Sequence, residues 1–154
     1  MGQDQADHGR LTGRLIDALY VEAMLLADEA RAYFDSHGRA EREALPPLQR
    51  VGFSCESLKV TTRLMHIIAW LLTRRGVEAG EISSVQANAP ERRLGQAAES
   101  AAEAVEGLPA TARALIGASI ELYLRIRRLD ESIDRPAPAA SPARGLQKLL
   151  ASAF

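Results

Sequence analysis

The residues of this sequence that could act as a nucleophile and its base are Cys55 and His66. A thiol activated by an imidazole requires the two side chains within about 3 Å of each other. The residues between them have helical periodicity, so both side chains should belong to one helix. They are eleven positions apart, which places them on nearly the same helix face but about 16 Å apart along the axis. This separation excludes a dyad within one helix. The other histidines, His8 and His37, fall in a predicted tail and a predicted helix-end turn, so a base from elsewhere is not expected.

Sequence motifs for metal or phosphate binding are absent. There is no HExxH pair, no cysteine-rich or histidine-rich spacing and no calcium-binding loop, although each metal class needs one of these ligand patterns. No GxGxxG or GxxxxGK[ST] loop is present to bind a phosphate. Because Cys55 is the single cysteine, an internal disulfide is excluded. We therefore expect no catalytic residues, no metal and no cofactor, and a protein that is not an enzyme.

Arginine is the basic residue used almost throughout, with seventeen arginines and two lysines. The arginines come in short groups at 74–75, 92–93 and 125–128, and such groups can bind nucleic-acid phosphates. The first and third groups lie near predicted helix C-termini, where a cation complements the helix dipole. With a formal net charge of −1, the sequence does not favour nucleic acid as a partner. A DNA-associated transcriptional regulator stays open as an alternative function.

Charged and aromatic side chains form one stripe on the predicted middle helix. The stripe consists of Glu56, Lys59, Arg63, His66 and Trp70, at spacings of three and four residues that place them on one helix face. One interpretation is a solvated face whose end is closed by Trp70 packing under a loop. The other is a partner-binding surface, because tryptophan and arginine are enriched at interface hot spots. We take the stripe as a candidate partner-binding surface.

Helical periodicity dominates the sequence, and no segment alternates as a half-buried strand would. The pattern predicts long helices at about 11–36, 46–76 and 109–132, the last two opening with prolines, and hence an all-α antiparallel three-helix bundle. The middle helix carries two apolar rows, so both of its sides need a packing partner, and we expect a homodimer. These rows are Val51, Leu58, Met65 and Leu72 at seven-residue spacing, and Phe53, Val60, Leu64, Ile67 and Leu71.

The chain is predicted to contain one folded domain with less regular segments around it. Residues 1–10 are expected to be a flexible N-terminus, and 11–134 the bundle domain, with a divergent segment at 77–108 that is either a partner-facing insertion or a poorly ordered strap. Within that segment, GEISSVQA and QAAESAAEAVE each have the pattern of a short helix. Residues 135–154, which begin RPAPAASPARG, are predicted to form a disordered tail. The tail's candidate partner-binding residues are Leu146, Leu149, Leu150 and Phe154.

The overall composition fits one modest domain. The chain has 154 residues, of which 47% are hydrophobic and only 5% aromatic. The longest apolar run, residues 67–72, is six residues long, whereas a membrane-spanning helix needs about 20. The N-terminus lacks the apolar core of an export signal. We therefore expect a soluble cytoplasmic protein with no membrane partner.

The middle helix and its continuation carry a family resemblance. Residues 54–83, SCESLKVTTRLMHIIAWLLTRRGVEAGEIS, resemble the signature of the regulator of CtrA degradation (RcdA) family of alphaproteobacteria. The first helix, which contains LYVEAMLLADEARAYF, and the final helix, which contains LYLRIRRLDE, are similar to the layout of that family. The resemblance is strong over 11–83, moderate over 109–134 and weak elsewhere.

This resemblance implies a dimeric three-helix protein that acts in regulated proteolysis without being an enzyme. Members help to deliver the transcription regulator CtrA to the ClpXP protease, together with CpdR-like and PopA-like factors, and recruitment to the cell pole is a further expectation. The family has no catalytic residues to carry over, and its C-terminal extension is disordered and linked to partner contact. A structural dimeric scaffold without a proteolytic role stays open as a second alternative.

Overall fold

Three long helices make up most of the chain that the structure describes. The computed structural model describes residues 2–134 and 149–153. The long helices are α1 (Gly2–Ala32), α3 (Pro47–Glu78) and α6 (Ala110–Asp134). Shorter helices are α2 (Arg39–Glu43), α4 (Ser84–Ala87) and α5 (Ala102–Glu106). The described residues contain no β-strand, which confirms the all-α class.

Helix α1 begins earlier than the sequence predicted. Its first residue is Gly2, so residues 2–10 extend the helix where a flexible N-terminus was expected. Asp4 lies in the first turn, where a carboxylate complements the positive end of the helix dipole. This local effect favours helix over an irregular tail, although the segment has no apolar row of its own.

The end of α1 changes its winding before the chain turns. Tyr33–His37 form a π-helical turn, and the N–H of Gly38 donates to the Tyr33 carbonyl at 2.6 Å. A side chain at Gly38 would overlap the Tyr33 ring, so the close approach requires glycine. Burial, together with a hydrogen bond donated to Glu41, raises the pKa of the Tyr33 hydroxyl above its ordinary value. The segment predicted as a linker, Arg39–Glu43, is the short helix α2.

Helix α3 begins where its prolines predicted and ends later than expected. Pro47 occupies the first helical turn. Backbone N–H groups in that turn have no acceptor within the helix, so the N–H that proline lacks costs no hydrogen bond. The helix continues through Gly76 to Glu78, and the chain reverses at Gly80, whose φ of +74° is favourable only for glycine. Gly80 rather than Gly76 is therefore the residue that stops the helix.

The core lies between the three long helices, which all pack against one another. It is largely aliphatic, with a small aromatic cluster of Tyr33, Phe34 and Phe53 at one end. Of the two apolar rows predicted on α3, the row that begins at Phe53 is buried in this core. The buried core residues are Ile16, Leu19, Ala23 and Ala30 of α1, Tyr33 after it, Phe53, Val60, Leu64, Ile67, Trp70 and Leu71 of α3, Leu108 before α6, and Ala112, Leu115, Ile116, Leu122 and Ile126 of α6.

The connection between α3 and α6 is ordered along its whole length. The predicted helical turn in GEISSVQA is present as α4, which Ser83 and Gln86 begin with a reciprocal capping box. The predicted helix in QAAESAAEAVE is present only at Ala102–Glu106. Residues 94–101 before it have no regular secondary structure, and several of their polar groups are used in the contacts described below.

Two further observations concern the membrane and the tail. None of the helices in 2–134 and 149–153 is long and apolar enough to cross a bilayer. Residues 149–152 are helical, and the prediction for the rest of the tail falls on 135–148 and 154, which lie outside the described residues.

Candidate functional site

The structure covers the charged and aromatic stripe of α3. Glu56, Arg63 and Trp70 retain only 1%, 2% and 3% of their possible exposure, while Lys59 and His66 are half-buried. Much of the cover over Glu56, Arg63 and His66 is a segment without regular secondary structure, residues 93–100, which we call the strap. The sequence correctly placed the five residues on one face, but while the strap is in place a partner cannot touch the three buried side chains.

Arg63 joins the strap to α6. Its guanidinium donates to the carbonyl of Ala98 at 3.1 Å, to the Ser100 hydroxyl at 2.5 Å and to the Ser119 hydroxyl at 3.3 Å. Burial lowers the pKa of Arg63 from its ordinary value, and the nearby Glu56 carboxylate acts in the opposite direction. A buried arginine with three acceptors is a structural anchor, because guanidinium donors without partners are costly in a protein interior.

Glu56 completes the same polar network from about two helical turns before Arg63. Its carboxylate accepts from the Lys59 ammonium at 3.1 Å and from the Ser100 hydroxyl at 2.5 Å. Ser100 thus accepts from Arg63 and donates to Glu56. The charged half of the stripe is therefore occupied with holding the strap at Ser100.

Trp70 anchors the opposite end of the strap. Its indole N–H donates to Asp130 of α6 at 2.8 Å, and Arg93 of the strap donates to the same carboxylate oxygen at 2.8 Å. Arg93 also donates to the Asp130 carbonyl at 2.6 Å. The Arg74 guanidinium lies 5.2 Å from the centre of the Trp70 ring, within cation–π range. Burial lowers the pKa of Arg74, with Asp130 opposing and Arg93 adding to that effect.

The middle of the strap lies directly on His66. A side chain at Gly95 would overlap the imidazole, so only glycine permits this approach. The Tyr123 hydroxyl of α6 donates to the Gly95 carbonyl at 2.8 Å. The strap is therefore held at its start, middle and end, and the face below it is closed.

The exposed surface of α3 is its second apolar row. Val51, Leu58, Met65 and Leu72 are all exposed, as is Leu48 before them, with exposed fractions between 49% and 84%. Cys55, Thr62 and Ala69 are also exposed and lie between these residues at alternating spacings of three and four. Together the eight residues form a heptad seam, with apolar residues at one position and mostly small residues at the other. We call them the α3 seam.

The residue types examined for catalysis and metal binding do not converge in the described chain. Cys55 is exposed on the α3 seam, whereas His66 lies under the strap at Gly95, about three helical turns further along α3. Within 2–134 and 149–153, no group of histidine, cysteine, aspartate and glutamate side chains could hold a metal ion.

Many arginines of the predicted groups are engaged within the chain. Arg74 and Arg93 belong to the Trp70 end of the strap. Arg75 pairs with Asp17 at 3.3 Å, and Arg125 pairs with Glu22. These pairings connect helices, as expected when arginines stabilise tertiary structure.

The tail residues predicted to bind partners are only partly visible. Leu149 and Leu150 are exposed, with no buried contact. Leu146 and Phe154 lie outside the described residues.

Comparison with known proteins identifies the family. A family model described as "Protein of unknown function (DUF1465)" matches residues 8–154, which is nearly the whole chain. The chain belongs to the DUF1465 family. Among solved structures, it is similar to the crystal structure of RcdA from Caulobacter crescentus CB15, at 35% identity and a TM-score of 0.63. The match covers 77% of this chain and 89% of that one, and no curated protein matches. The predicted resemblance to an RcdA-like family is thereby confirmed.

Sequence reasoning missed the residues of this DUF1465 chain that cover the stripe. Arg93, Gly95 and Ser100 lie in the divergent connection, and Tyr123 and Asp130 lie on α6. Two features of the sequence pointed weakly to these covering contacts. A connection far longer than a turn requires must pack on something, and a tryptophan ending a charged stripe indicates a buried N–H that needs an acceptor.

Proposed function

We propose that this protein is a non-enzymatic adaptor in regulated proteolysis that helps to deliver a CtrA-like transcription regulator to a ClpXP-type protease. The observation that carries the proposal is the similarity to Caulobacter RcdA, at 35% identity over 77% of the chain. By the same relationship, CpdR-like and PopA-like factors are its proposed co-partners. Recruitment to the cell pole is the matching proposal for its localisation.

The surface chemistry fits an adaptor. The polar stripe is occupied with holding the strap, and the exposed apolar features that we propose for partner contact are the α3 seam and the segment that includes Leu149 and Leu150. A rigid helical body with an attached apolar segment can raise the local concentration of a cargo without requiring tight binding at any one contact.

The proposed assembly is a homodimer of antiparallel three-helix bundles joined through the α3 seam. A second copy fits this seam because a heptad row that pairs with itself about a two-fold axis matches large residues to small ones. In the antiparallel alignment Val51 lies opposite Ala69 of the partner subunit, Leu58 opposite Thr62 of the partner subunit, and Cys55 opposite Met65 of the partner subunit. A parallel alignment would instead bring the two copies of Cys55 together.

The single native cysteine makes this arrangement testable. Under mild oxidation, Met65→Cys should form an intermolecular disulfide with Cys55, while the unchanged protein should not cross-link through Cys55 alone. If instead the unchanged protein cross-links through its two copies of Cys55, and Met65→Cys adds no cross-link to Cys55, the dimer is parallel. In sedimentation experiments Leu58→Glu should give monomers, and Leu25→Glu, which alters an equally exposed leucine on α1, should leave the dimer intact. A dimer that survives Leu58→Glu would show that the seam is not its interface.

The adaptor role is tested by protein turnover in the cell. We expect the half-life of a CtrA-like regulator to lengthen when the gene is deleted, and to return to its original value when the gene is restored. Pull-down with the full chain and with a chain ending at residue 134 should capture protease components with the first more than with the second. Unchanged turnover in the deletion strain would reject the adaptor role for that cargo and favour a structural scaffold.

A further inference from the structure

A groove with an acidic rim lies between α1 and α6. Its apolar lining consists of Leu25 and Leu26 of α1 and Ala118 and Leu122 of α6. Its volume is about 260 Å³, which is below the roughly 300–1,000 Å³ typical of small-molecule sites. The groove therefore fits a few side chains of a docked protein segment better than it fits a cofactor.

The charged residues that line this groove are all acidic. They are Glu22, Glu29 and Glu121. Glu22 is paired with Arg125 of α6, whereas Glu29 and Glu121 are exposed and form no ion pair with a described residue. Two carboxylates beside an apolar groove are thus uncompensated, and no cation is among the described residues that line it. The complementary occupant is an apolar segment that carries basic side chains.

The C-terminal part of this chain has that composition. Residues 135–154 contain no aspartate or glutamate, and their basic side chains are Arg135, Arg144 and Lys148. Residues 1–134 contain the other sixteen basic side chains against twenty acidic ones, so the two parts of the chain carry net charges of opposite sign. Leu149 and Leu150 are 70% and 54% exposed, which leaves most of their apolar surface uncovered.

The C-terminal part is also long enough to reach the groove of its own bundle. The helical rise places Leu122 about 18 Å from the end of α6 at Asp134. Residues 135–145 can span up to about 36 Å when fully extended. Leu149 and Leu150 can therefore reach the groove without any rearrangement of the three long helices.

We propose that residues 146–150 dock in this groove of their own chain. Leu149 and Leu150 then pack on Leu25, and Lys148 lies beside Glu29 or Glu121. Docking covers the two leucines that are exposed in the structure, so a partner that binds the tail must first compete with the groove. The groove is separate from the α3 seam, and the docking does not depend on a role in proteolysis.

Zero-length cross-linking with a carbodiimide tests the docking in the full-length protein. The chain has two lysines, and Lys59 is held on α3 by its ion pair with Glu56, so amide bonds made by Lys148 can be assigned by mass spectrometry. We expect Lys148 to be joined mainly to Glu29 or Glu121. When unlabelled and nitrogen-15-labelled proteins are incubated until any subunits have exchanged, these cross-links should still join peptides of the same isotope.

Two leucine variants distinguish docking from chance encounters of the tail with the bundle. Leu25→Ser in the groove and Leu150→Ser in the tail keep every charge and alter exposed residues, so the fold should persist. Each should lower the yield of the Lys148 cross-links at least about threefold, because the apolar contact that holds the segment is lost. The matched control is Val85→Ser, which alters an exposed apolar residue of α4 and should change the yield less than about twofold.

Three results would overturn the proposal. The first is that Lys148 forms no cross-link to the groove, or is joined to carboxylates scattered over the chain. The second is a yield that neither leucine variant lowers. The third is a set of mixed-isotope cross-links at Glu29 or Glu121, which would show that the groove receives the tail of a second copy.

Discussion

Removal of the Arg63 guanidinium is the sharpest perturbation of the strap. Arg63→Met keeps most of the buried aliphatic volume but deletes the three hydrogen bonds to Ala98, Ser100 and Ser119. Hydrogen bonds from a charged donor contribute about 1.5–3 kcal/mol each, and the loss of a buried charge returns part of that sum as relieved desolvation. We therefore expect a net loss of about 3 kcal/mol in the free energy of unfolding.

Thermal unfolding provides the assay for this loss. In a domain of this size each kcal/mol corresponds to a Tm shift of about 2–4 °C, so Arg63→Met should lower Tm by about 6–12 °C. The matched control is Arg113→Met, because Arg113 is an exposed arginine of α6, and its replacement should cost less than about 0.5 kcal/mol. Limited proteolysis within residues 93–100 should accelerate in Arg63→Met only. A melting temperature within 2 °C of the unchanged protein, or a lower one with unaltered proteolysis of the strap, would refute the view of Arg63 as its anchor.

The remaining predictions concern the other attachment points and one titrating residue. Gly95→Ala should destabilise the fold by about 1–3 kcal/mol through overlap with His66, and adding His66→Ala should recover most of that loss in a double-mutant cycle. Trp70→Phe removes the indole hydrogen bond to α6 and should cost about 1–2 kcal/mol in chemical denaturation. Desolvation, followed by the charge of Asp17, raises the pKa of Glu78, so its ionised form is disfavoured in the folded state. Glu78→Gln should therefore raise Tm at pH 7 and leave it unchanged at a pH below both the folded and unfolded pKa values, where Glu78 is protonated.

The regular elements were predictable because their signals are local. Two such signals on α3 are visible in the sequence: the proline at its first turn, and the apolar row that begins at Val51 and repeats every seven residues. Both correspond to features of the structure. Gly80 shows the limit of such signals. Gly76 and Gly80 are equally plausible helix ends in the sequence, and only the positive φ of Gly80 distinguishes them.

The strap was not predictable because tertiary contacts override its local preference. Residues 96–101 are rich in alanine, which favours helix, yet they are not helical. The Ala98 carbonyl and the Ser100 hydroxyl both engage Arg63, and in an α-helix that carbonyl would instead accept a hydrogen bond from the backbone four residues later. The Arg63 guanidinium and a helical backbone N–H would therefore compete for the Ala98 carbonyl, and in the structure the guanidinium occupies it.

For α3, the sequence predicts which side chains share a face but not which face is buried, and this difference bears on function. Spacings of three and four residues establish which side chains share a face, but they contain no information about what covers that face. The charged stripe is inside because the strap supplies hydrogen-bond partners for Glu56 and Arg63, and Asp130 of α6 accepts from the Trp70 indole. The apolar seam from Leu48 to Leu72 is outside because no described element packs over it. Contiguous exposed apolar residues of that extent are typical of interaction surfaces, so we expect the seam to serve association, whereas the stripe and the apolar row beginning at Phe53 maintain the protein's own fold.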